Sequence, residues 1–330
     1  MIVVDSIICT ILFFIPFVIC RVKVFNKKSR CGLTEEYSKI KLIDCTCLCS
    51  DKKTQVLNIA IGVYFAFVYL AFRYLGNVWY IGAPLYIIGL LSTIVMPFVL
   101  AYLCIGSKNG AKIVAIVLCC ILLLSPITRP VVYLIKYHPW SGAPQTVKMW
   151  ESAIPLNLSN LCALSFLICF CTKNKILIGF MVCAGIAGGL VNNVQAHNTH
   201  MVTFWWYQTW ESYFVHALMV IVPIFVLLTN QVQLRAKSAL KNYYWFTPWF
   251  LITGFLLNPL WGTNYNFTYY QRVLEKVLPQ ISQPISFLNG HFDPIYMIFV
   301  FTFLSLTFII CYYIGVLMTK ISKRWYLKVD

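Results

Sequence analysis

The chain has 330 residues, of which 60% are hydrophobic and 11% are charged, with a mean hydropathy of +0.76. A soluble protein of this length could not cover its apolar surface with so few charged residues. The composition therefore excludes a soluble globular protein. The net charge of +16 would indicate nucleic-acid binding in a soluble protein, but here the basic residues lie in loops between apolar segments. Nucleic acid is therefore not an expected partner.

Nine apolar segments follow one another along the chain, each close to the ~20 residues that span the hydrocarbon of a bilayer. They predict an all-α, polytopic transmembrane helix bundle, because helices satisfy their backbone hydrogen bonds internally. The fifth and eighth segments are short or interrupted. The predicted spans are approximately residues 2–20, 56–75, 81–105, 112–135, 153–171, 176–194, 211–230, 246–263 and 293–319.

The first segment lacks a basic region before it and a small-residue cleavage signature after it, so we expect a retained helix. Along the chain, loops rich in Lys and Arg alternate with loops that contain few of them. Twenty of the 26 Lys and Arg residues lie in the loops 21–54, 106–112, 172–175 and 231–245 and in the tail 320–330. Because positive charge marks the cytoplasmic side, the amino terminus is predicted outside and the carboxyl terminus inside. We expect a multi-pass protein of the cell membrane.

Three regions are expected along the chain. Residues 1–55 form the first helix and a basic loop, residues 56–150 form packing helices, and residues 151–330 form a core that carries most of the polar groups within spans. In this core Gly185 and Gly189 have the GxxxG spacing that allows two helices to approach closely.

The 14 cysteines show no paired framework, so mostly free thiols are expected. The first loop carries four of them, Cys31, Cys45, Cys47 and Cys49. Reduced thiols near the membrane, with or without lipid modification, fit this loop better than a soft-metal site, because the spacing matches no common zinc site. No chemistry is assigned to it. His197 and His200 lack a clear third ligand, so neither a metal nor a cofactor is expected.

Two polar positions within predicted spans stand out as a candidate site. Ser159 lies about six residues inside the fifth span, and His216 lies about five residues inside the seventh. Because the two spans run in the same direction, these offsets predict equal depth. A hydroxyl nucleophile needs a base within hydrogen-bond reach, and histidine is the usual one. Cys162 shares a helix face with Ser159 and is the alternative nucleophile.

Three sequence motifs carry a resemblance to a known family. They are PLNLSNLC at 155–162, WESYFVHALMVIV at 210–222 and GTNYNF at 262–267. With these motifs in this order, residues 153–318 resemble the YwaF-like family of integral membrane proteins. Relatives of that family in eukaryotes include a transmembrane acyltransferase acting on ether phospholipids. A more distant family of androgen-induced type hydrolyses hydroxy-fatty-acid esters with a membrane-buried threonine and histidine.

The resemblance implies a role for each matching position. His216 takes the place of the base and Ser159 that of the nucleophile. The chain departs from the family pattern at two positions, where Asn157 replaces a histidine and Ser159 replaces a cysteine. Serine is a legitimate acyl nucleophile, yet the changes also fit a member without activity.

The residues leave two classes of function open. The first is an outward-facing lipid acyltransferase or lipid-ester hydrolase, with Asn157 or Asn264 donating to the oxyanion. The second is a non-enzymatic transporter, lipid-binding factor or scaffold. Membrane lipids are the expected partners, and a homo-oligomer or a complex with other membrane proteins is compatible with the sequence. The candidate substrate-binding residues are Asn264, Tyr265, Glu211 and Arg129.

Overall fold

The computed structural model describes residues 2–31, 52–75, 84–105, 107–137, 158–172, 175–194, 207–236, 247–261, 285–287, 290–292 and 294–326. Within these ranges each predicted span coincides with a helix, which confirms the all-α class. In chain order the helices are α1 Ile2–Cys31, α2 Lys52–Leu75, α3 Pro84–Cys104, α4 Lys108–Tyr137, α5 Leu158–Thr172, α6 Lys175–Val194, α7 Tyr207–Leu228, α8 at 247–261 and α9 Pro294–Tyr326.

Length and composition mark several of these helices as membrane spans. Among the described residues, the stretches long and apolar enough to cross a membrane are Thr54–Leu75, Pro84–Cys104, Asn109–Thr128 and Pro294–Lys323. Val4–Cys20, Leu161–Thr172, Leu177–Leu190 and Tyr213–Leu228 are shorter apolar stretches.

Large apolar side chains lie on the outside of the bundle. On α1 one exposed stripe runs along the helix at helical spacing, formed by Val4, Ile7, Ile11, Phe14 and Val18. Similar exposed faces follow α2, α4 and α9. In water such continuous apolar faces would promote association, whereas in a bilayer they meet lipid tails at no cost. The exposed faces therefore support the membrane assignment independently of the hydropathy of the sequence.

The centre of the bundle is α6. Almost every described side chain between residues 178 and 187 is buried, and α6 packs against α5, α7 and α9. The next most enclosed helix is α7, which is buried continuously from residue 217 to residue 229. Both helices combine small residues with branched apolar ones, so neighbouring backbones approach closely while the gaps between them are filled.

A left-handed residue ends α7. Asn230 has φ 55°, a conformation that asparagine tolerates better than most residues. The N–H of Gln231 donates to the carbonyl of Val226 at 2.9 Å. The chain then turns back onto α9, where the N–H of Leu234 donates to Thr319 Oγ1 at 3.2 Å. These contacts pair backbone groups that would otherwise be left without partners at the helix end.

The predicted interruption of the eighth span is a π-helical segment, Ile252–Leu257. The backbone N–H of Asn258 donates to the carbonyl of Thr253, five residues earlier rather than four. Pro259 follows directly, and a proline ring clashes with the carbonyl four residues before it. The wider π-helical turn therefore lies where proline disfavours the α-helical hydrogen bond. At the same segment, Thr253 Oγ1 donates to the carbonyl of Trp249 at 2.9 Å.

A short antiparallel ladder precedes α9 and was not predicted. Strands β1 Ile285–Phe287 and β2 Gly290–Phe292 pair with Ser286 opposite His291. His291 therefore lies on β2, and α9 begins at Pro294 rather than at 293. Strands of three residues are too short for an alternating pattern to be recognised in the sequence.

The first two helices form a close pair. A Cβ on Gly62 of α2 would overlap the backbone carbonyl of Phe13 in α1, so the two backbones are in direct contact. Near the start of α1, Asp5 accepts hydrogen bonds from Tyr69 at 2.8 Å and from Tyr74 at 2.9 Å. Arg73 contributes its Nε at 3.4 Å from Asp5 Oδ1.

The prediction of mostly free thiols is confirmed for the described cysteines. Nine cysteines of the described part are free, and six of them are buried in the helix bundle, among them Cys162 and Cys183. Cys20 is the exception, since it is disulfide-bonded. Cys45, Cys47 and Cys49 lie outside the described residues, as do His197 and His200.

Candidate functional site

The position of His216 is set by the contact between α6 and α7. A Cβ on Gly189 would overlap the backbone carbonyl of His216 and would lie 2.6 Å from Val220 Cγ2. One turn earlier on α6, a Cβ on Gly185 would lie 2.9 Å from the carbonyl oxygen of Met219. Only hydrogen fits at these two positions, so the GxxxG prediction of close helix packing is confirmed. The same contact places His216 directly opposite Gly189.

Three helices meet at the level of Gly185. Besides approaching Met219, a Cβ on that glycine would lie 2.7 Å from Phe166 Cζ of α5. Since α6 is antiparallel to both α5 and α7, these last two run parallel. Ser159 precedes Phe166 by about two turns, and His216 precedes Met219 by about one turn. Both residues therefore lie on the same side of this meeting point.

The candidate nucleophiles occupy different parts of α5. The described part of this helix begins at Leu158, one residue before Ser159. The equal depth of Ser159 and His216 stays a prediction, because residues 153–157 lie outside the described residues. The side chain of Ser159 lies outside the described set, and its contact with His216 stays a prediction. Cys162 is completely buried within the main apolar cluster of the bundle. Such surroundings keep structural thiols unreactive.

His216 is partly buried in α7 and has interaction partners within the chain. Apart from Cys162, the side chains of the other predicted site residues lie outside the described set. Asn157, Asn264 and Tyr265 lie outside the described residues, while Glu211 and Arg129 lie on α7 and α4 with side chains outside the described set. Their roles stay predictions.

One turn from His216, a group of polar side chains links α3, α6 and α7, and none of them was predicted. We refer to Tyr86, Thr93, Asn193 and Tyr213 as the polar cluster. All four are buried. Tyr86 donates to the backbone carbonyl of Asn193 at 2.6 Å, which satisfies a carbonyl of the last turn of α6.

A second hydrogen bond of the polar cluster joins Thr93 to Tyr213. Thr93 Oγ1 donates its one proton to the carbonyl of Gly89 at 3.0 Å. Its oxygen is 3.2 Å from the hydroxyl of Tyr213, and with the Thr93 proton engaged Tyr213 is the donor. Tyr213 lies three residues before His216 on the same face of α7, so this bond orients the turn that carries His216.

Helical spacing was the only signal for these residues. Asn193 lies four residues after Gly189, Thr93 lies seven after Tyr86, and Tyr213 lies three before His216. Each interval returns to the same helix face. The sequence does not show which faces meet, because that depends on how the helices pack.

Fold and site together define the class as a polytopic helical membrane protein with polar groups enclosed near one end of its central helices. The TMEM164 family, a transmembrane family, has a family model that matches residues 80–314, and the chain belongs to this family. The match begins just before α3 and ends within α9. No curated protein and no solved structure was found to match.

Proposed function

We propose that this protein is a lipid acyltransferase or lipid-ester hydrolase of the cell membrane, with Ser159 as nucleophile and His216 as base. The observation that supports this proposal best is a partly buried histidine within a membrane span, placed by close packing on Gly189. An ionisable side chain is costly at that depth, and its retention favours a functional role. The resemblance of the motifs around Ser159 and His216 to lipid-modifying relatives supports the same reaction.

The proposed reaction proceeds in two steps. Ser159 Oγ attacks the acyl carbonyl carbon of a lipid ester while His216 takes the hydroxyl proton. The tetrahedral intermediate collapses, the ester C–O bond breaks, and His216 returns the proton to the departing lipid alcohol. A second hydroxyl, from water or an acceptor lipid, then gives its proton to His216 and attacks the acyl-serine. The bond between the acyl carbon and Ser159 Oγ breaks, His216 returns the proton to Ser159 Oγ, and an acid or a new ester leaves.

Side chains outside the described set complete this proposal. Asn157 or Asn264 would donate a hydrogen bond to the oxyanion, a contribution that is large in a site without water. Tyr265, Glu211 and Arg129 would contact the lipid, and a guanidinium such as that of Arg129 suits a phosphate group. Cys162 is the less favoured nucleophile because it is enclosed among apolar side chains.

Labelling of membranes with a fluorophosphonate, together with turnover of lipid esters by the purified protein, tests the assignment. We expect Ser159→Ala and His216→Ala each to lower turnover by about 100-fold or more. Cys162→Ala is the matched control on α5 and should keep both labelling and turnover. If both site variants turn over lipid esters as fast as the wild type, the proposal is wrong.

The alternative is a protein without enzymatic activity, namely a transporter, a lipid-binding factor or a scaffold. The observation that favours transport is the π-helical segment of α8, since interrupted helices with buried polar groups form substrate sites in transporters. Thr253 is buried at this segment. Solute uptake into vesicles that is insensitive to fluorophosphonates and unaffected by Ser159→Ala would favour transport over ester chemistry.

A further inference from the structure

Within the part of the chain that the structure describes, the side chain of Asn193 has no hydrogen-bond partner. It is completely buried at the end of α6, and neither Nδ2 nor Oδ1 finds a donor or acceptor. Its backbone carbonyl, in contrast, accepts from Tyr86. A buried amide without partners costs free energy that an apolar residue of similar shape would not cost. A residue of this kind at such a position indicates that something else satisfies the amide.

Asn193 is close to the proposed site. It follows Gly189 by four residues and therefore lies on the same face of α6, one turn further along. Because Gly189 contacts the backbone of His216 and α6 is antiparallel to α7, Asn193 lies level with the turn before His216. Tyr213, in that turn, already donates to Thr93. The amide of Asn193 is thus the group of the polar cluster that retains its full hydrogen-bonding capacity.

We propose that the Asn193 amide binds the ester carbonyl of a membrane lipid, with Nδ2 as the donor. The depth fits this ligand, because Asn193 lies in the last turn of a span, near the level at which the ester groups of bilayer lipids meet the hydrocarbon. The chemistry fits as well, since an ester carbonyl only accepts hydrogen bonds and Nδ2 offers two N–H groups. On binding, the lipid replaces the packing that now encloses the amide.

This inference deepens the proposed function, on which it rests for the class of ligand, by assigning a lipid-binding residue beside the proposed base. Binding and turnover are separate measurements. Lipid binding that depends on Asn193, in a protein that neither hydrolyses lipid esters nor transfers their acyl groups, would sustain the inference and defeat the proposed reaction. Turnover that depends on Ser159 but not on Asn193 would support the proposed reaction and defeat the inference about Asn193.

Photolabelling of the purified protein in vesicles provides the test. The probe is a diacyl phosphatidylcholine with a photoactivatable diazirine in one acyl chain, and the competitors are unlabelled diacyl and dialkyl phosphatidylcholines. The dialkyl lipid has ether links and no ester carbonyl. For the wild type we expect the diacyl lipid to compete about tenfold better, the value of one hydrogen bond to an otherwise unsatisfied group. Asn193→Leu and Asn193→Ala should both abolish this preference.

Thermal unfolding in lipid-free detergent supplies the second readout. The matched control is Asn58→Leu, since Asn58 is also a buried asparagine but accepts from Tyr102 at 3.5 Å. We expect Asn58→Leu to lower the melting temperature and to keep the diacyl preference, whereas Asn193→Ala lowers the melting temperature less. Equal diacyl and dialkyl competition in the wild type, or an unchanged preference in both Asn193 variants, would overturn the proposal.

Discussion

Thr93 and Tyr213 join α3 to α7 through two hydroxyl groups 3.2 Å apart, both enclosed in the bundle. The pair shows at the scale of residues how polar groups are used within the spans. Each hydroxyl has a partner on the neighbouring helix or in its own, so neither is left unsatisfied in an apolar environment. Such pairs contribute specificity more than stability, since interhelical hydrogen bonds in membranes are worth roughly 0.6 kcal/mol on average.

A double-mutant cycle measures this pair. Tyr213→Phe and Thr93→Val should each destabilise the protein slightly, and the two together should be less harmful than the sum. We expect a coupling free energy of roughly 0.6 kcal/mol from reversible unfolding in detergent. Tyr296→Phe on α9, a buried tyrosine outside the polar cluster, should show no coupling to Thr93→Val. Strict additivity for Tyr213 and Thr93 would contradict the observed hydrogen bond.

Asp5 is the second residue with a testable contribution. Its carboxylate is almost completely buried and accepts from Tyr69 and Tyr74. Asp5→Ala would leave both hydroxyls without this acceptor, so we expect a lower melting temperature and easier proteolysis of α1. Tyr69→Phe removes a single donor and should have a smaller effect. Thr10→Val at an exposed position of α1 serves as the control, and an equal effect of all three variants would argue against the Asp5 contacts.

At the scale of helices, small residues decide how closely spans approach. Gly185 and Gly189 bring α6 against the backbone of α7, and Gly62 brings α2 against that of α1. In lipid no hydrophobic force drives helices together, so close van der Waals packing of this kind must hold them. The α6–α7 contact matters most because it carries His216.

Substitutions in α6 test this contact. Gly189→Ala adds a methyl group where the His216 carbonyl and Val220 already lie, so it should destabilise the protein by about 1–3 kcal/mol. Gly188→Ala is the matched control, since its Cβ would meet only the flexible end of Met219 at 3.3 Å. Because alanine favours helix over glycine, that variant should be neutral or more stable by up to about 1 kcal/mol. Unfolding in detergent measures both, and equal stabilities would contradict the packing described.

At the scale of the whole molecule, the charge pattern predicts the orientation. Lys320 and Lys323 lie on the last turns of α9, at the carboxyl-terminal end of its apolar stretch Pro294–Lys323. Together with the basic loops they predict that the carboxyl terminus lies inside the cell. An alkaline phosphatase fused after Asp330 should therefore be inactive, and a green fluorescent protein there should be fluorescent. An active phosphatase at this position would reverse the predicted orientation, and with it the outward-facing site.

The candidate site could be read from the sequence only in part. Ser159 and His216 stood out because hydroxyl and imidazole groups are conspicuous within apolar segments. Asn193, Tyr86 and Tyr213 did not, since asparagine and tyrosine are common near the ends of spans. What distinguishes them is that they are buried and lie where three helices meet. Both properties depend on which face each helix turns toward its neighbours.

By itself the sequence determined the class of the protein, the order of its helices and the GxxxG contact face. These follow from local rules, because about 20 apolar residues must form a helix in lipid and only glycine lets two backbones touch. Tertiary structure alone decided that α6 is central, that His216 lies opposite Gly189, and that the Asn193 amide is enclosed without a partner among the described residues. Such facts arise from contacts between residues far apart in the chain, and no periodicity within one helix reports which neighbour it meets.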